Sequence, residues 1–149
     1  MRWTGKSIFF ILALTVAGMV LAGCEQKTAA QPDAATRLQS VAAADPTKYP
    51  ALEQGKHWSN PYLVIRPGQV GLLTDVTANE ERLLKPTEVL NVLAQLPAAA
   101  WPYGRAVAIL VDEKQASSEQ DKVALRRNRG IVEGDLEAAH VAIRWIPSP

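Results

Sequence analysis

The sequence contains a single cysteine among its 149 residues. One thiol excludes an internal disulfide, and it excludes the paired-cysteine motifs that bind zinc or exchange disulfides. Histidine is almost as scarce, because the chain has only His57 and His140, far apart in sequence. We therefore expect no metal centre, and the folded part must be stabilised by its apolar core alone.

Motifs typical of enzymes are missing as well. The chain has no GxSxG, HExxH or Walker A pattern, so its sequence predicts no nucleophile elbow, no zinc protease site and no phosphate-binding loop. The 16 Lys and Arg residues almost balance the 15 Asp and Glu residues. A nearly neutral surface has no electrostatic reason to bind nucleic acid. We expect a non-enzymatic protein without catalytic residues, cofactor or nucleic-acid partner.

The first residues have the layout of a secretory signal. Arg2 and Lys6 precede residues 7–23, an uncharged and mostly apolar stretch that ends in small residues. The alternative is an uncleaved membrane-anchor helix. Such a helix needs about 20 apolar residues to cross about 30 Å of hydrocarbon, so residues 7–23 make only a marginal span.

The end of this stretch, Leu21-Ala22-Gly23-Cys24, resembles the lipobox of bacterial lipoproteins. The resemblance implies that the Cys24 thiol is alkylated with diacylglycerol and that residues 1–23 are removed as a signal peptide. Each buried acyl CH₂ contributes about 0.8 kcal/mol, so two or three chains hold a protein on a bilayer essentially permanently. Without Arg2 and Lys6, 14 basic residues face 15 acidic ones, a net charge of −1. We expect a lipid-anchored membrane protein that faces the periplasm or the cell exterior.

Residues 24–56 are rich in Ala, Gln, Asp, Thr and Pro and show no sustained apolar period. The few large apolar groups in this stretch cannot offset the loss of conformational entropy on folding, which costs about 1 to 2 kcal/mol per residue. This composition therefore predicts a flexible tether. A short helix over residues 34–44, with Leu38 and Val41 on one side, is an alternative for part of it. The tether gives a reach of tens of ångströms, which is enough to contact the cell wall or a neighbouring protein.

The globular domain is predicted over residues 57–149. Its strands are Tyr62–Arg66, Gln69–Leu73, Arg105–Val111 and His140–Ile146, and its helices are 86–96 and 119–139. Right-handed crossovers place both helices on one face of the sheet. The predicted fold class is therefore α+β and α/β-like: a single small two-layer domain of order ββαβαβ, with a four-stranded mixed sheet and two helices on one face.

This element order and the helix start Lys85-Pro86-Thr87-Glu88-Val89-Leu90 resemble the periplasmic domain of the ExbD/TolR family of biopolymer-transport proteins, over about residues 62–146. Proteins of that family carry a membrane helix with an ionisable aspartate that couples proton flow to work. Residues 7–23 contain no acid, so proton coupling does not carry over. The resemblance implies a partner-binding module or a homodimer.

Two stretches are candidates for partner binding. Trp101 and Tyr103 flank Pro102 in a loop, and they either form a contact surface for a peptide or glycan or cap the open end of the core. The second stretch holds three arginines within one helical turn: Arg126, Arg127 and Arg129. These guanidinium groups either recognise phosphate or carboxylate groups or form a solvated helix face.

The leading hypothesis is a membrane-anchored, non-enzymatic binding or assembly module whose partner is an envelope protein or the cell wall. The alternative is a small, hydrolase-like envelope enzyme that uses Asp112, Glu113 or His140 near the carboxyl ends of the strands. An enzyme requires these groups to converge in one pocket. Scattered positions favour the binding module.

Overall fold

The sheet is the centre of the fold in the computed structural model, which describes residues 33–50, 57–74 and 79–148. Its strands are β1 Tyr62–Ile65, β2 Val70–Leu73, β3 Arg82–Leu84, β4 Ala106–Val111 and β5 Ala142–Ile146. The order across the sheet is β3-β2-β1-β4-β5. β2 pairs antiparallel with β1 and β3, whereas β4 runs parallel to β1 and β5. The sheet is therefore mixed, as predicted.

Three α-helices pack on one face of this sheet. They are α1 Ala34–Leu38, α2 Val89–Leu93 and α3 Glu119–Ala138, with 3₁₀ turns at Pro46–Lys48, Pro86–Glu88, Ala98–Ala100 and Glu113–Gln115. Leu38, Leu93 and Leu136, one from each helix, share an apolar core with Leu63 and Ile109 of the sheet. We call this the helical side of the domain. The other face of the sheet, which we call the open face, carries none of the described helices.

The described residues form five strands and three α-helices, so the prediction of four strands and two helices in the order ββαβαβ was wrong by one strand and by α1. β3 lies between the predicted strand Gln69–Leu73 and the predicted helix 86–96, where no element is predicted, and its residues pair with β2 in the register Val70↔Leu84. Only Leu84 of its three residues is buried. An edge strand this short presents no apolar alternation, so backbone pairing defines it.

Residues 33–50, the N-terminal segment, pack on the sheet although their composition predicts a tether. The Asp33 carboxylate accepts a hydrogen bond of 2.7 Å from the Thr36 amide and so caps α1. Leu38 is 1% exposed. Ala43 forms a parallel bridge with Arg105, and one compact unit extends from Gln31 to Pro149. The folded domain thus reaches well into the stretch assigned to the tether.

The predicted signal peptide, the Cys24 lipid site and the remainder of the predicted tether lie outside the described residues. In the part of the chain that the structure describes, no helix has the length and apolar character that a membrane span requires.

Both ends of α3 are capped. At the start, Ser118 and Asp121 form a capping box, and hydrogen bonds from Ser118 hold the pKa of the Asp121 carboxyl below its usual value. At the end, the His140 amide bonds to the Glu137 carbonyl and the Val141 amide to Leu136. This is a Schellman motif, which needs a left-handed residue, and His140 has φ 55°.

Candidate partner-binding surfaces

The loop with Trp101 and Tyr103 sends its two aromatic side chains to opposite faces of the sheet. Trp101 is 5% exposed and belongs to the core on the helical side. Its indole N–H finds no hydrogen-bond acceptor in the described part of the chain. Tyr103 is half-buried and packs on the open face. Trp101 therefore caps the core, which is one of the two interpretations given above. Only Tyr103 remains available as a contact residue.

Tyr103 belongs to an aromatic cluster that we define as Tyr49, Trp58 and Tyr103. The ring centroids lie 5.2 Å apart for Tyr49–Trp58, 5.9 Å for Tyr49–Tyr103 and 5.1 Å for Trp58–Tyr103. These are the tilted and edge-to-face contacts that aromatic quadrupoles favour. The cluster covers Ala106 and Ala108 at one end of the open face.

An arginine lies over this cluster. The Arg144 guanidinium is 5.7 Å from the centre of the Tyr49 ring, within the range of a cation–π contact. Burial raises the pKa of the Tyr49 hydroxyl, and the nearby Arg144 charge opposes that shift. Tyr103 and Tyr49 both remain partly accessible. The aromatic cluster with Arg144 therefore combines the residue types that are enriched at binding hot spots.

A buried asparagine fixes the loop that carries Tyr103. The Asn60 amide donates to the carbonyls of Gly104 and Ala106 at 2.7 Å each, and its oxygen accepts from the Tyr103 amide at 2.9 Å. Gly104 has φ 75°, and the Ala43 backbone occupies the position where a Cβ would project. Glycine is required here both for the left-handed conformation and for the close approach of the N-terminal segment.

The sequence did not indicate Tyr49 and Trp58 as site residues. Tyr49 lies in the stretch predicted to be a tether, and Trp58 lies at the predicted domain boundary. The one local signal is the density of aromatic residues on both sides of residues 51–56. Their contacts with Tyr103 span 54 and 45 positions along the chain, so no local pattern encodes them.

The three arginines of α3 do not act as one group. The Arg129 guanidinium lies 4.4 Å from the centre of the Trp145 ring, and its Nε is 3.6 Å from Glu133. Arg126 and Arg127 are exposed and have no carboxylate at ion-pair distance among the described residues. Arg129 is thus held by the fold, whereas Arg126 and Arg127 are free to meet an external anion.

The groups proposed for an enzyme do not converge. Asp112 follows the carboxyl end of β4, where its Oδ2 is 3.7 Å from Arg66 Nε, and Glu113 is exposed in the adjoining turn. His140 precedes β5, which runs parallel to β4, so His140 lies at the opposite end of the sheet. Within residues 33–50, 57–74 and 79–148, no group of His, Cys, Asp and Glu could hold a metal ion.

No protein-family model matches this chain, and neither a curated protein nor a solved structure is detectably similar to it. The resemblances to the lipobox and to the ExbD/TolR periplasmic domain stay predictions, carried by the residues and the element order quoted above.

Proposed function

We propose that this chain is a lipid-anchored, non-enzymatic binding module of the bacterial cell envelope. It is held on a membrane through Cys24, faces the periplasm or the cell exterior, and contacts an envelope protein with the aromatic cluster and Arg144. The observation that carries the proposal is the position of this surface: Tyr49, Tyr103 and Arg144 are partly accessible on the open face. Aromatic residues and arginine at one place are typical of a protein interface.

Three polar side chains that each form several hydrogen bonds support a scaffold role. Asn60 holds the loop of Tyr103. Asn128 of α3 donates to the carbonyls of Arg66 and Pro67 at 2.8 and 2.9 Å. Arg105 donates to the carbonyls of His140, at 2.9 Å, and Leu38, at 3.2 Å. Each side chain joins segments that are distant in sequence, so these groups build a rigid support for a surface rather than a reactive centre.

The anchor is tested by Cys24→Ser. We expect loss of labelled palmitate incorporation and accumulation of the unprocessed chain. Gly23→Ala is the matched control, because it keeps a small residue before the cysteine and should be processed normally. Normal maturation and labelling of the Cys24→Ser chain would contradict the lipoprotein assignment.

The contact surface is tested by photo-crosslinking in native membranes. A photoreactive residue at Tyr103 should capture one envelope protein, whereas the same residue at Gln95, exposed after α2, should not. Arg144→Glu should abolish the capture by reversing the charge beside the cluster. Equal capture from both positions, or capture that Arg144→Glu leaves unchanged, would refute the proposed surface.

A further inference from the structure

The packed N-terminal segment limits how far the domain can lie from its membrane. The first described residue is Asp33, the cap of α1. Asp33 follows Cys24 by nine positions, and in any arrangement nine residues span at most about 30 Å. A tether over residues 24–56 would allow about 110 Å. On the proposed function, with lipid on Cys24, the domain therefore stays beside the membrane.

The first described element, α1, lies on the helical side. Leu38 of α1 lies in the same apolar core as Leu93 of α2 and Leu136 of α3. The outer surface of α3 is consequently on the same side of the sheet as α1, the first described element. The aromatic cluster lies on the other side, with Tyr62, Ala106 and Ala108 beneath it.

The middle of α3 exposes a basic patch, which we define as Lys122, Val123, Arg126 and Arg127. Val123 is 57% exposed and is one of two large apolar side chains that lie exposed in the described residues. Arg126 and Arg127 follow it by three and four positions and so share its face of the helix. Lys122 Nζ lies 2.7 Å from Glu119, so these two charges offset each other and the two arginines supply the positive charge of the patch. Val123 thus lies beside two arginines that have no carboxylate at ion-pair distance among the described residues. Basic residues next to an apolar one are a feature of helices that lie at a membrane interface.

We propose that the basic patch binds anionic lipid headgroups and docks the helical side of the domain on the membrane that holds the anchor. Guanidinium groups bind phosphate oxygens in a two-pronged geometry. Each basic residue near an anionic surface strengthens binding roughly fivefold. A short linker raises the effective concentration of the surface to the millimolar range, so a contact this weak is sufficient. The acids Glu133, Asp135 and Glu137 lie further along α3, beyond the patch.

The experiment uses the full lipidated chain in vesicles of phosphatidylglycerol or of phosphatidylcholine. Cys24 is the only cysteine and its thiol carries the lipid, so Val123→Cys supplies a unique site for a fluorophore. Headgroup-labelled lipid then reports contact through quenching. Ser59→Cys, an exposed site next to Trp58 of the aromatic cluster, is the matched control.

We expect quenching at position 123 to be at least threefold stronger in phosphatidylglycerol vesicles than in phosphatidylcholine vesicles, to fall in high salt, and to be weak at position 59. Adding Arg126→Gln and Arg127→Gln should remove the difference between the lipids. Equal quenching in both lipids, or quenching that survives both arginine substitutions, would overturn the docking.

Flotation of the same samples separates the two proposals. A chain that floats with the vesicles but shows no quenching at position 123 overturns the docking and leaves the lipid anchor intact. A chain that carries no lipid and does not float overturns both.

Discussion

Leu38→Ala tests whether the N-terminal segment belongs to the folded domain. Leu38 is 1% exposed and shares the core with residues of α2 and α3. Truncating a buried leucine to alanine costs about 2 to 5 kcal/mol, because apolar contacts are lost and a cavity remains. For a domain of about 110 residues, 1 kcal/mol shifts the melting temperature by about 4 °C. We therefore expect Leu38→Ala to lower the melting temperature by about 8 to 20 °C.

Two further variants calibrate that measurement. All three variants are made in the chain that starts at Glu25. Gln39→Ala changes the exposed neighbour of Leu38 and should cost less than about 0.5 kcal/mol. Ile109→Ala truncates a fully buried side chain of β4 and should cost about 2 to 5 kcal/mol. If Leu38→Ala melts within about 2 °C of Gln39→Ala, the segment does not contribute to the fold.

Three further predictions concern the ends and the exposed face of α3. Gly130→Ala and Gly134→Ala should each stabilise the domain by about 0.5 to 1 kcal/mol in urea unfolding, since nothing lies within 4 Å of an added Cβ; unchanged or lower midpoints would contradict this. His140→Gly should raise the melting temperature by a few degrees. His140 has a left-handed backbone conformation, which costs a non-glycine residue about 1 kcal/mol and which glycine adopts without that cost. A decrease would refute the capping geometry. The pKa of Asp121 lies below its usual 3.8 through hydrogen bonds from Ser118. Its stabilisation is therefore complete above that pH and is lost as the pH falls through the lowered pKa, and Asp121→Asn should flatten acid unfolding measured by circular dichroism below pH 4; an unchanged acid transition would count against the cap.

Strong local patterns account for the elements that the sequence predicted. The apolar run from Ala106 to Val111 is a central strand with Ile109 fully buried, and the 20 residues of α3 follow the predicted helix closely. The sequence did not predict β3, because only Leu84 of its residues is buried. The sequence did not predict the packing of the N-terminal segment, because Leu38 is its one large, fully buried side chain among the described residues. Its other contacts, such as the backbone bonds to the loop of Tyr103, reach residues about 60 positions away.

The candidate sites were predicted less well for the same physical reason. Trp101 and Tyr103 are two positions apart, and only the tertiary fold decides which of them enters the core. Arg129 is distinguished from Arg126 and Arg127 by Trp145, a residue of the last strand. Contacts across such separations are set by packing, which periodicity along the chain does not report.

The pairing of β4 has a consequence for folding kinetics. Tyr62 of β1 pairs with Ala108, and Ala106 pairs with Ala142 of β5, so both neighbours of β4 lie more than 30 residues away in sequence. Closing such loops before the contacts form makes folding slow, on the order of milliseconds or longer. Until β5 is available, β4 presents an apolar, unpaired edge. A chain that ends before Ala142 should therefore aggregate rather than fold.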